Sequence, residues 1–157
     1  MPTTHTRTRT PLLISALLLL FGLPAISSAI EPVYTGFLSS HAIQGYDTVA
    51  YFTENQAVKG DPNIASEWNG ATWLFSTPEH QALFDANPEA YAPQYGGYCA
   101  YAMADGNAVR VDPKAFSIVD GKLYLNFSQS VQTRWENNQS SFITAADQHW
   151  PALLNPR

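Results

Sequence analysis

Two dipeptides, Asn69-Gly70 and Asp120-Gly121, constrain this chain more than any other feature. Each sits between short runs in which apolar and polar residues alternate, "IASEWNGATWLF" (residues 64–75) and "FSIVDGKLYLNF" (residues 116–127). A two-residue hairpin turn needs positive φ at both central positions, which Asn-Gly and Asp-Gly accept at least cost. The sequence therefore predicts two β-hairpins. Alternation puts Trp68 and Trp73 on the strands flanking the first turn, and Ile118, Leu123 and Leu125 on the core face of the second. "TVAYF", Thr48 to Phe52, is β-branched and aromatic and predicts a further strand.

Helices fall between and after the hairpins. In "STPEHQALFDANP" Ser76 or Thr77 serves as cap, Pro78 opens the first turn, Leu83 and Phe84 are the apolar anchors, and Asn87-Pro88 is the stop. From Ser130 to Trp150 apolar residues recur at close to helical period, and "ENNQSS" divides this stretch into two helices. No internal repeat and no linker is evident. The expected fold class is α+β, a small antiparallel sheet built from β-hairpins and packed with short helices in one domain, residues 30–157.

Residues 1–29 have the pattern of a secretory signal peptide. Arg7 and Arg9 make a basic start, Leu12 to Leu23 an apolar run too short to span a bilayer, and Ser27, Ser28 and Ala29 a small-residue cleavage site. The arginines are not adjacent and no lipid-bearing cysteine follows, so the expectation is a periplasmic or secreted product with no transmembrane segment in the mature chain. Of the eight basic residues those two are lost with the leader, leaving six against thirteen acidic, a formal charge of -7. No basic stripe exists to bind nucleic acid. The single cysteine, Cys99, excludes an internal disulfide, so the fold must stand on packing, to which the four Trp, the eight Tyr and the seven Phe that follow the leader contribute.

The succession "GYDTVAYF", "WNGATWLFSTPEHQALFDANPEAYAPQYGGYCAYAM" and "VDGKLYLNFSQSVQTRWENN" resembles the YHS-domain family in its exported, free-standing form, over roughly residues 41 to 152. The resemblance implies a compact fold of hairpins and helices and a connection with heavy-metal handling. The family's metal-associated pattern, Asp-Pro-Val-Cys-Gly-Met and then Tyr-Phe-Cys-Ser-Pro-Gly-Cys with a following Phe, falls on Asp47 to Phe52 and on Leu74 to His80, with Phe84 as the Phe. Its three cysteine positions are thus Ala50, Ser76 and His80 in this chain.

Three classes of chemistry remain open at the residue level. Cys99 and Met103 are the sulfur residues left after leader removal, and four-residue spacing puts them on one face of a helix. Thiolate with thioether suits copper as Cu(I) or another soft metal ion, with His80 completing the set; the same two residues equally suit plain core packing. A closed zinc site would need Cys99, His41, His80 and His149 to converge. An activated Cys99 needs a base, a cation or a helix N-terminus, and Gly96-Gly97 could turn the chain into such a helix. Finally, Trp73, Tyr91, Tyr95 and Tyr101 could line a small-molecule pocket or a protein-partner surface, or simply fill the core. His80 in a first helical turn reads alone as a solvated imidazole, and Asp47 and Asp147 as turn or cap carboxylates. The expectation is a non-enzymatic binding domain linked to metal handling, with a metal-free small-molecule or partner-binding module as the alternative.

Overall fold

Both glycine turns lie where the alternation places them. In the computed structural model, which describes residues 1, 29–36 and 38–155, Asn69 and Gly70 have φ of 50° and 79°, and Asp120 and Gly121 have 51° and 73°. The first turn joins β1 (Asp61–Trp68) to β2 (Ala71–Phe75), and the second joins β3 (Asp112–Val119) to β4 (Lys122–Asn126). The two antiparallel hairpins form two separate two-stranded sheets. Helices surround them: α1 (Ala50–Thr53), α2 (Pro78–Ala86), α3 (Pro88–Tyr91), α4 (Ala100–Met103), α5 (Gln129–Glu136) and α6 (Gln139–Leu154). The expected α+β class holds. The basic start, the apolar run and the serines of the leader pattern lie outside the described residues, as do Pro156 and Arg157 at the other end. Among the described residues no helix is long and apolar enough to cross a membrane.

Contrary to the expectation of no internal repeat, the chain is built twice from one unit. A 3-10 turn, a short helix, a hairpin and two helices run from Ala42 to Tyr91, and the same six elements run again from Gln94 to Leu154. The agreement extends to detail. Three consecutive residues with positive φ open each copy, Ile43-Gln44-Gly45 and Tyr95-Gly96-Gly97. Each hairpin starts at Asp-Pro, where the Asp carboxylate accepts from the amide two residues on (Asn63, 2.8 Å; Lys114, 3.0 Å), and each ladder then shifts register. Thr77 caps α2 and Ser128 caps α5. One turn into those helices, Gln81 donates to the Ala65 carbonyl and Gln132 to that of Phe116, tying each helix to its own hairpin. Even the rings correspond: Trp73 and Phe84 lie 5.0 Å apart at 32°, Tyr124 and Trp135 5.1 Å apart at 36°.

The copies share a core. One cluster joins Ile43, Val49, Tyr51, Trp73, Phe75 and Phe84 of the first to Cys99, Val111, Leu123 and Leu125 of the second. Polar ties cross as well, since the buried Tyr51 hydroxyl donates to the Pro113 carbonyl at 2.9 Å and Gln44 Nε2 to that of Val111 at 2.8 Å. A second cluster around Met103, Tyr124, Trp135 and Ala146 seats α5 and α6.

Three local expectations are overturned. Thr48 to Phe52 is not a strand but a turn leading into α1, because the Asp47 carboxylate accepts from the amides of Val49 and Ala50 and rolls the chain into a helical turn. Leu83 is 43% exposed while Phe84 alone anchors α2. Ile118, at the tip of β3, is 38% exposed, whereas Leu123 and Leu125 on β4 are fully buried.

Candidate functional site

The first polar cluster grows from Asp47, whose amide donates to the Val58 carbonyl at 2.8 Å and whose side chain is completely buried. Its Oδ1 accepts from the amides of Val49 (2.9 Å) and Ala50 (3.3 Å). Oδ2 accepts from the Ser76 amide (2.8 Å) and hydroxyl (2.6 Å) and pairs with His80 Nδ1 at 2.7 Å. Burial alone would raise the carboxyl pKa, but the bonds from Ser76 and His80, with the charge of His80, outweigh it and hold Asp47 below the ordinary carboxylate value. His80 is therefore not the solvated imidazole its helical position suggests. Its Nε2 lies 3.2 Å from Thr53 Oγ1 and 3.9 Å from Glu54 Oε1, so protein groups face both ring nitrogens.

This cluster occupies the positions where the YHS resemblance sets its cysteines, and its residues do not fit a soft metal. Ala50 offers no donor atom, the Ser76 hydroxyl is spent on Asp47, and both Asp47 oxygens are saturated. Nor do Asp47, His80 and Ser76 form a nucleophilic triad. Ser76 and Asp47 crowd the same ring nitrogen, with Ser76 Oγ 3.3 Å from Nδ1, and the hydroxyl proton goes directly to the carboxylate. On the Nε2 side, the Thr53 hydroxyl donates to the Val49 carbonyl. The arrangement fastens α1 and α2 to the end of β2.

The sulfur residues lie elsewhere. Cys99 stands in the second copy where Asp47 stands in the first: its amide donates to the Val109 carbonyl at 2.9 Å as that of Asp47 does to Val58. It is 1% exposed, precedes α4, and its thiol faces Asn126 Oδ1 at 3.9 Å. Cys99 belongs to the first buried cluster and Met103 to the second, although the Met103 amide donates to the Cys99 carbonyl at 2.9 Å, and His80 is engaged by Asp47, Ser76 and Thr53. Cys99 and Met103 are thus neighbours on one helical turn, while His80 belongs to the Asp47 cluster. Among the described residues no group of three or more His, Cys, Asp or Glu is placed to hold a metal ion.

A second site lies at the seam between the copies. A cleft of about 230 Å³ is bounded by Trp68, Asn69 and Trp73 of the first hairpin, by Pro93 to Gly96 leading into the second copy, and by Trp150 and Leu154 of α6; Pro32 and Val33 complete it. Trp73 is fixed by donating from Nε1 to the Trp68 carbonyl at 3.0 Å. The Tyr95 hydroxyl is held by Asp147 at 2.8 Å, and burial and that carboxylate push its pKa up, so the ring stays neutral. Trp68 and Trp150 are half-buried. Of the four aromatic residues suggested as pocket lining, Trp73 and Tyr95 are there; Tyr91 instead packs on Phe52 and Tyr101 on Phe142. Trp68 and Trp150 were not expected there. The one signal for them was position, Trp68 beside the Asn-Gly turn and Trp150 near the end of the last apolar repeat. Compared with family models, with curated proteins and with solved structures, the chain finds no match in any of the three.

Proposed function

We propose that this is an exported, YHS-type, non-catalytic binding domain, periplasmic or secreted, whose ligand is a small molecule held in the aromatic cleft between the two copies. The observation that carries this reading is the cleft itself, a concavity lined by three tryptophans and a tyrosine at the seam of a duplicated fold. Such seams are favoured places for ligands, because a concavity there costs neither unit its own core. The metal reading draws its support from the resemblance and from the four-residue spacing of Cys99 and Met103; His80, the third residue of that set, is engaged by Asp47, Ser76 and Thr53.

The test is two titrations of the reduced mature protein. In the first, a panel of small organic compounds is followed by NMR. The expected outcome is shifts confined to the ring and backbone signals of Trp68, Trp73, Tyr95 and Trp150, and their loss in Trp68→Ala. Shifts elsewhere, or none at millimolar ligand, would reject the cleft. In the second, Cu(I) and Zn(II) are expected to bind no tighter than about micromolar. Stoichiometric binding that vanishes in Cys99→Ala would reinstate the soft-metal site.

A further inference from the structure

We infer that cutting the chain between Ala29 and Ile30 frees an ammonium group that caps the C-terminal end of α6; this rests on the chain being exported. Water adds across the Ala29–Ile30 peptide bond, leaving a carboxylate on Ala29 and an α-ammonium on Ile30. Ser27, Ser28 and Ala29 are small residues of the kind a leader-cleaving peptidase accepts, and Ala29 is exposed. On the other side of the bond, Ile30 is half-buried and packs against the second cluster beside Phe142, Ile143, Trp150 and Leu153 of α6. Its amide donates to the Leu153 carbonyl at 3.2 Å, Val33 is 4% exposed, and the Tyr34 amide donates to the Gly96 carbonyl at 2.9 Å. A cut before Ile30 keeps every one of these contacts; a cut after it loses the first. The cleavage pattern and the packing meet at one bond.

What the cut changes is charge. The helix α6 is 16 residues long, and the carbonyls of its last turn have no partner within the helix and carry its negative end. The Asn155 amide takes the Pro151 carbonyl at 3.2 Å, and no basic residue stands in the last turn. In the uncut chain Ile30 brings to Leu153 one neutral N–H. In the cut chain the same nitrogen brings an ammonium, a charge-assisted donor at the end of the helix that favours cations. The cap also fixes one wall of the cleft, since Pro32 and Val33 follow directly along the same segment. Removal of the leader and completion of the cleft are thereby coupled.

The experiment has two arms. In the first, the full chain is expressed with its leader in an export-competent bacterium, and the N-terminus of the product is read by mass spectrometry; Ile30 is expected. In the second, three forms are unfolded in urea: residues 30–157 with a free N-terminus, the same chain Nα-acetylated, and residues 27–157. The acetylated form keeps the N–H donor of Ile30 and loses only its charge. At pH 6, below the ordinary α-amino value of about 7.7–8.0, the free form is expected to have a folding equilibrium constant about two- to fivefold larger than either of the others. The gap is expected to close in about 1 M NaCl, because salt screens a charge at a helix end and leaves packing intact. Equal stability of the three forms, or a gap that salt leaves unchanged, overturns the cap and leaves export standing, as does a cut at another bond. A product that keeps its leader overturns the exported reading and the cap with it.

Discussion

At the scale of the residue, Asp47 is the most committed side chain in the molecule. Five bonds converge on its two oxygens from Val49 and Ala50 at the start of α1, from Ser76 just after β2 and from His80 of α2, and its side chain has no exposed surface. Asp47→Ala would leave the Ser76 and His80 groups without their acceptor, and the expected loss is about 3–5 kcal/mol in urea unfolding at pH 7. The pH dependence has a definite sign. Because the folded-state pKa is depressed, the contribution is full above the unfolded value of about 3.9 and drains away as pH falls through the lower folded value. The native protein should therefore lose stability below about pH 4 more steeply than Asp47→Asn, as measured by unfolding midpoints between pH 7 and pH 2.5. A turn carboxylate at Asp47 was legible in the sequence. Its burial was not, since the groups that bury it stand 29 and 33 residues away.

At the scale of the element, legibility followed the locality of the cause. The hairpins could be read because each turn carries its own requirement for positive φ in two adjacent residues. The cap of α2, narrowed to Ser76 or Thr77, and the break between α5 and α6 could be read for the same reason, whereas the Ser128 cap of α5 came only with the structure. Thr48 to Phe52 could not, because β-propensity lost to the Asp47 carboxylate, three residues before the start of α1. Glycines expose the difference between local and tertiary demands. Gly70 has open space around its missing side chain, so Gly70→Ala should cost only the strain of positive φ, about 1–2 kcal/mol. Gly96→Ala adds a collision with the Pro32 backbone at the lip of the cleft and should cost at least about twice as much, measured by thermal unfolding of the two variants side by side. Positive φ at Gly96-Gly97 is suggested by the glycines themselves; the press of Pro32 on them belongs to the fold.

At the scale of the whole molecule, the duplication was hidden because the copies agree in what the backbone requires and differ in what the core accepts. Glycine turns, Asp-Pro starts, caps and the helix-to-hairpin glutamines coincide, while Tyr124 answers Trp73, Trp135 answers Phe84, and Cys99 answers Asp47. Packing tolerates such exchange so long as volume is filled, so letters drift where geometry does not. The shared cluster of buried residues makes the two copies one cooperative unit. A fragment ending at Tyr91 is expected to show no cooperative urea transition, whereas the full mature chain shows a single one by both tryptophan fluorescence and far-ultraviolet dichroism.

A fold built twice has a practical consequence. Gln81 and Gln132 perform one task in two places, each carrying a helix onto a hairpin by donating to a strand carbonyl. A substitution at either is matched by an equivalent site in the same polypeptide, at the same temperature and ionic strength, so what a bond is worth can be separated from what its neighbourhood adds. The molecule carries its own control.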